Sequence, residues 1–198
     1  MQPFRALRAI AMPLGIADLN TDRIFPSRFM RKPRTAAYAD CCFHDLRFAA
    51  DGTADPATPF ADPRYEHAEI LVAGANFGQG SSREGAVYAL QEYGFRVVIA
   101  PNFGEIFAAN ALINGLLTIV LDEARIEALL SALRAANLPE MNVDLEAREI
   151  SGGGLSFRFD IAPSARKRLL DGLDDIALSL AYEAEISAFE ARRGDLPS

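Results

Sequence analysis

Residues 69–93 place an apolar run, a glycine-rich polar turn and a helical segment in immediate succession. Glu69-Ile70-Leu71-Val72-Ala73-Gly74 reads as a buried strand and Glu84 to Tyr93 as a helix. Between them runs Asn76-Phe77-Gly78-Gln79-Gly80-Ser81-Ser82-Arg83-Glu84. A chain that leaves a strand through glycines and enters a helix carries backbone N–H groups with no intrahelical partner, and these favour an anion. With two hydroxyls and a guanidinium beside them, Ser81, Ser82 and Arg83 form a candidate carboxylate or phosphate site.

The same alternation continues downstream. Gly94 suits the left-handed end of the helix, and Phe95 to Ala100 is a second buried strand closed by Pro101. Asn102 is placed to cap a helix from Phe103 to about Ile113, with Phe103, Ile106, Phe107 and Asn110 on one face. Asn114-Gly115 ends it, and Leu116 to Leu121 is a third strand. Strand-helix-strand-helix-strand predicts a parallel arrangement with right-handed crossovers, so the class is α/β. Asp122 then caps a helix to about Ala136, and the runs 143–150 and 155–161 flank Ser151-Gly152-Gly153-Gly154 as a hairpin. Residues 164–193 have helical spacing with a break near Gly172, and 190–198 read as a loose polar tail.

Upstream, residues 4–16 predict a first strand ending in a turn at Pro13 and Gly15. Asp18 to Pro26 is a polar loop that is either an Asx-rich turn or a segment aimed at a site; residue types alone favour the turn. Residues 27–50 read as partly helical. Residues 51–66, with Gly52, Pro56, Pro59 and Pro63, read as a long surface loop, placed to contribute specificity or partner contact.

With 198 residues and 50% apolar content, the expectation is one domain over 1–198. The net charge of -7 argues against nucleic acid, whose phosphates reward clustered Lys and Arg. Seven Lys/Arg against two Asp/Glu in residues 1–34 give that arm +5 and leave -12 for the remainder, which suits a small anionic substrate or an acidic partner surface. No apolar run reaches the roughly 18 residues of a membrane span. Arg5 and Arg8 are not followed by an uninterrupted apolar segment, so no signal peptide is expected. The two cysteines, Cys41 and Cys42, are neighbours that do not suit a structural disulfide, which points to a reducing, cytoplasmic setting.

Several chemistries fail on their own requirements. A dinucleotide fingerprint needs a third glycine where this chain has Arg83, and no Gly-Lys-Ser/Thr follows for a Walker loop. There is no G-x-S-x-G elbow, and the only histidines are His44 and His67. Cys41, Cys42 and His44 are spaced too tightly for a tetrahedral zinc site. A serine pair with Arg83 at a helix start remains. Nearby positive charge favours a serine alkoxide, which can take a proton from a carbon next to a carboxylate if the developing charge is held elsewhere. The residues equally suit a capping motif, with Ser81 or Ser82 as the helix cap; both readings stand at this point.

The glycine-serine motif, Gly94-Phe95-Arg96-Val97-Val98-Ile99-Ala100-Pro101-Asn102-Phe103, Ile106-Phe107, Asn110 and Asn114-Gly115-Leu116-Leu117 closely resemble the swivel domain of the aconitase superfamily. Within it the chain resembles the small-subunit family of isopropylmalate isomerase, or 3-isopropylmalate dehydratase. Asn20-Thr21-Asp22-Arg23-Ile24-Phe25-Pro26 and residues 170–180 extend the likeness to nearly the whole chain. The resemblance implies a layered β/β/α swivel fold with a parallel strand-helix core and a C-terminal hairpin and helices. It implies a separate large subunit holding a [4Fe-4S] cluster, and dehydration and rehydration of a hydroxy-dicarboxylate in the leucine pathway. By that likeness Ser81 is the base, Arg83 binds a substrate carboxylate and Asp22 is the loop aspartate, with Ser82, Gly80 and Thr21 contacting substrate. Two cysteines cannot ligate a cubane, so this chain is expected to bind no cofactor itself. The chain departs from the family pattern at Gly85, where a histidine is usual, at Asn20, often aspartate, and at Thr118, often proline. These leave the reaction type in place and keep open a smaller acid such as 2-methylmalate or 2,3-dimethylmalate. A non-catalytic assembly module is the rival of another class.

Overall fold

The computed structural model describes residues 1–80, 83–173 and 183–193. The chain runs β1 (Ala6–Pro13), α1 (Thr21–Ile24), α2 (His44–Arg47), β2 (Ile70–Val72), α3 (Glu84–Tyr93), β3 (Val97–Ala100), α4 (Glu105–Asn114) and β4 (Leu117–Val120). It continues through α5 (Glu123–Ala135), β5 (Glu140–Asp144), β6 (Glu149–Gly152), β7 (Leu155–Arg158), α6 (Pro163–Asp171) and α7 (Glu183–Arg193). The strands pair in the order β4-β3-β2-β1-β5-β6-β7.

β1 is the seam of this sheet. Its first half, Ala6 to Ile10, pairs antiparallel with β5; its last three residues, Ala11 to Pro13, pair parallel with β2. β2, β3 and β4 continue in parallel, joined by α3 and α4, as the alternating pattern predicts. Strands covered on both faces need apolar side chains at every position. Leu71, Val98 and Ala100 face the layer of α3 and α4 together with Phe77, Leu90 and Phe107. Ile70, Val72, Val97 and Ile99 face α5 and the antiparallel strands, packing with Ile126, Leu129, Leu133, Met141 and Ile150.

Helix ends follow the sequence at several points and depart from it at one. Asp122 caps α5, its side chain accepting from Arg125 N at 2.9 Å, and Gly94 and Gly115 close α3 and α4 with positive φ. Asn102, expected to cap α4, does not: the cap is Gly104, with no side-chain bond. The Asn102 Oδ1 instead accepts from Asn76 N in the glycine turn. Along α4, Phe107 and Ala111 are buried while Ile106 is 48% exposed, so Ile106 lies off the face that packs inward.

The expected single hairpin is a three-strand meander. The run 143–150 contains a turn in which Asp144 Oδ1 accepts from Ala147 N at 2.7 Å and Arg148 takes positive φ, splitting β5 from β6. An Asx turn supplies the reversal without glycine or proline; Gly153 and Gly154 make the second. Helical structure in α7 extends through Arg193, further than the loose tail expected from 190; residues 194–198 lie outside the described residues.

The 51–66 segment is tied down. It forms short 3-10 turns at Pro59–Ala61 and Pro63–Tyr65, with Tyr65 buried. Arg64 donates to the carbonyls of Arg134 and Ala136, and Phe60 packs edge-on against Tyr93 at 5.6 Å. Tyr93 is the last residue of α3, about 13 Å along the axis from its start at 1.5 Å per residue. Among the described residues no helix is long and apolar enough to cross a membrane.

Candidate active site

Two loops leave the C-terminal ends of adjacent parallel strands, and backbone bonds zip them together. Leu14 N and Gly15 N both donate to Val72 O, and Gly74 N returns a bond to Ile16 O at 3.1 Å. Further out, Asp18 N donates to Ala75 O, Gly78 N to Leu19 O and Thr21 N to Gln79 O, at 2.7 to 2.9 Å. Asn76 adopts φ +59, a conformation in which Asn is enriched, and its side-chain amide donates to Asp18 Oδ1 at 2.8 Å. The segment after β3 locks the other side: Phe77 N donates to Asn102 O and Gly104 N to Phe77 O. A Cβ on Gly78 would collide with Phe107 Cγ, and one on Gly104 would sit 2.6 Å from Gly78 O, so the turn rests directly on the start of α4.

The first loop ends in α1. Asn20 caps it, accepting from Arg23 N at 2.9 Å. In its first turn Asp22 Oδ1 accepts from Ser27 N at 2.8 Å and from Arg83 Nη1. Asp22 and Arg83 are thus an ion pair between the two loops, 61 residues apart in sequence. The polar loop at 18–26, read from residue types as a plain turn, is aimed at Arg83. Thr21 is buried beneath Asp22, and Gly80, at φ +113, would bring a Cβ to 3.4 Å from Thr21 Oγ1. The structure therefore gathers Thr21, Asp22, Gly80 and Arg83. Ser81 and Ser82 lie outside the described residues. The α3 cap is Arg83, with no side-chain capping bond.

Electrostatically the pair keeps Asp22 charged. The bond from Arg83, then that from Ser27 N, holds its carboxyl below the usual value. A depressed folded-state pKa contributes stability that is full above the unfolded value of ~3.9 and lost as pH falls through the folded one. Asp22→Asn is expected to flatten the fall in unfolding free energy below about pH 4 and to leave its slope unchanged near neutrality. Urea titrations of both proteins across that range check it. The carboxylate is about half exposed, so the effect is modest.

Sequence reasoning passed over what surrounds α3. Glu84 accepts from Asn114 Nδ2 at 3.0 Å, and this bond, with one from Tyr88, lowers its pKa. Arg34 pairs with Glu92 at 2.7 Å and lies over the Tyr88 ring at 4.1 Å. Tyr88 lies one helical turn from Glu84, but the contacts of Glu84 with Asn114 and of Arg34 with Glu92 join residues 30 and 58 apart, and only proximity in the fold reveals them.

The donor set does not fit an iron-sulfur cluster. Cys41 and Cys42 are the chain's only cysteines and both are wholly buried; burial pushes the Cys42 thiol well above its usual value, whereas a ligand must be thiolate. Among the described residues no three or more His, Cys, Asp or Glu side chains group to hold a metal ion.

A parallel strand-helix core with an ion pair across two zipped loops at its strand ends defines an aconitase-type swivel domain, and residues 1–124 match the aconitase C-terminal domain family. A solved 3-isopropylmalate dehydratase structure from Methanocaldococcus jannaschii superposes with TM-score 0.68 at 23% identity, over 93% of this chain and 99% of that one. The 3-isopropylmalate dehydratase small subunit of Parafrankia sp. is 43% identical over 100% of this chain and 99% of its own length. That of Streptomyces coelicolor is 42% identical over 98% and 95%. The chain belongs to the family of 3-isopropylmalate dehydratase small subunits.

Proposed function

We propose that this chain is the small subunit of a two-chain cytoplasmic hydro-lyase that interconverts 2-isopropylmalate and 3-isopropylmalate in leucine biosynthesis, by dehydration and rehydration. The observation that carries the reading is the Asp22–Arg83 pair at the joined strand ends. A guanidinium has five donors in a planar fork, and Asp22 engages it through Nη1; the fork suits a substrate carboxylate bidentately. Arg83 binds that carboxylate, Asp22 aims Arg83, and Ser81 takes the proton from the adjacent carbon as hydroxide leaves its neighbour and the double bond forms. Thr21, Gly80 and Ser82 are assigned to substrate binding. The iron-sulfur cluster belongs to a partner large subunit, because two cysteines cannot ligate a cubane.

The test is turnover by this chain mixed with its large subunit under anaerobic conditions, read as absorbance of the unsaturated product. Preference for 3-isopropylmalate over 2-methylmalate and 2,3-dimethylmalate is the expected result. Preference for a smaller acid would keep Arg83 and Ser81 in their roles and change the pathway. No turnover of any of the three by the assembled complex would leave the chain as an assembly module, and turnover by this chain alone would sink the two-subunit reading.

A further inference from the structure

Along the second half of α3 the structure contains a cavity of about 580 Å³ that neither of the two zipped loops borders. Its wall includes Arg34, Glu92, Arg96, Ile113 and Asn114. Glu92 follows Glu84 by eight residues in α3, about 12 Å along the axis at 1.5 Å per residue. Arg34, the last cation of the basic N-terminal arm, engages Glu92 Oε1 through Nε at 2.7 Å. Among the described residues its two terminal nitrogens donate to nothing. Arg96 is held more loosely, its ion-pair partner Glu69 standing 3.9 Å away, beyond hydrogen-bond reach. Acceptors are also left over. Asn114 donates through Nδ2 to Glu84 and to Asn110 O, and among the described residues neither its Oδ1 nor the Oε2 of Glu92 receives a hydrogen bond.

We infer that this cavity binds a free α-amino acid with an aliphatic side chain. Three features select that chemistry. The guanidinium groups of Arg34 and Arg96 offer donors to one carboxylate. Glu92 and Asn114 offer acceptors to an α-ammonium, and the last turns of α3 and α4, which border the cavity, add partial negative charge. The same groups disfavour a phosphate or a second carboxylate. Ile113 is 39% exposed in these charged surroundings and gives an aliphatic chain an apolar surface to cover. Nine heavy atoms, as in leucine, at roughly 30 Å³ each, a water's share of liquid volume, come to about 270 Å³ and fit the space. The inference does not depend on the function proposed above, because such a ligand is not a dicarboxylate and meets none of the groups around Arg83.

Calorimetric titration of the full chain with leucine tests it, beside 4-methylpentanoate, which lacks the ammonium, and 3-methylbutylamine, which lacks the carboxylate. Leucine is expected to bind, and each truncated analogue to bind at least about tenfold more weakly, as for loss of a charge-assisted hydrogen bond. Alanine, with both charges and no branched side chain, is expected to bind more weakly than leucine. Arg96→Gln is expected to weaken leucine and 4-methylpentanoate by the same factor of about ten, whereas Glu92→Gln weakens leucine alone and narrows the ratio between them. General loosening of α3 would not separate the two ligands. Amide spectra of the isotope-labelled chain are expected to shift at Gln91, Asn114 and Gly115 on adding leucine. No binding at millimolar leucine, 4-methylpentanoate or alanine binding as tightly as leucine, or shifts confined to Gly80 and Arg83 would each overturn the inference. If Glu92→Gln fails to fold, an unchanged Kd for leucine in Arg96→Gln overturns it and the tenfold loss supports it.

Discussion

Ser81→Ala, assembled with the large subunit and assayed without oxygen, is expected to lose at least about 10² in kcat, the lower end of what one positioned proton-transfer group contributes. KM should move little, because the hydroxyl's part is played in the transition state. The mechanism asks an unusual base to work near neutral pH. A serine hydroxyl yields its proton only where positive charge favours the alkoxide, and Arg83 follows Ser81 by two residues in sequence. Steady-state turnover on 3-isopropylmalate, with complex formation verified by gel filtration, makes the measurement. A variant that assembles and turns over at the unmodified rate would remove Ser81 from the chemistry and favour the assembly-module reading.

The second large effect is at Arg83. Arg83→Lys keeps the charge and loses the fork, and at a bidentate site these residues do not substitute for one another. One charge-assisted hydrogen bond is worth about 1.5–3 kcal/mol, so kcat/KM is expected to fall roughly 10- to 150-fold, with KM carrying part of the loss because the carboxylate is held in the ground state too. Thermal stability should change by little: the Asp22 partner is half exposed, and such pairs contribute at most about 1 kcal/mol. A loss of activity matched by a comparable loss of stability would instead assign Arg83 to holding the loops together.

The parallel core was legible because β2 and β3 are unbroken apolar runs closed by Gly74 and Pro101, and because glycine stands at the end of both α3 and α4. What local sequence could not show is where polar side chains are spent. Asn102 has the right chemistry and spacing for a helix cap, yet fastening Asn76 across 26 residues wins. Asp144 makes a turn where hydrophobic alternation alone implies a continuous strand. The motif at 76–84 marked Arg83, and family likeness marked Asp22; that the two bind each other depends on strand order, which neither local pattern contains. Gly85 stood out as a departure from the family, but its partners, Phe25 and Tyr38, lie 60 and 47 residues away in sequence.

Pairing of Pro13 with Val72 places the ends of β1 and β2 side by side, and so controls how far apart the two halves of the ion pair begin. A slip of one residue between these strands would displace Asp22 relative to Arg83 by about 3.3 Å, one strand step. It would also exchange the inward and outward faces of Ile70, Leu71 and Val72 against two separate cores. Alignment of the two loops is therefore enforced by a penalty collected far from them, inside the sheet. A substitution in β1 or β2 that loosens this pairing would show itself first as a fault in substrate handling, while the chain still folds and still meets its partner.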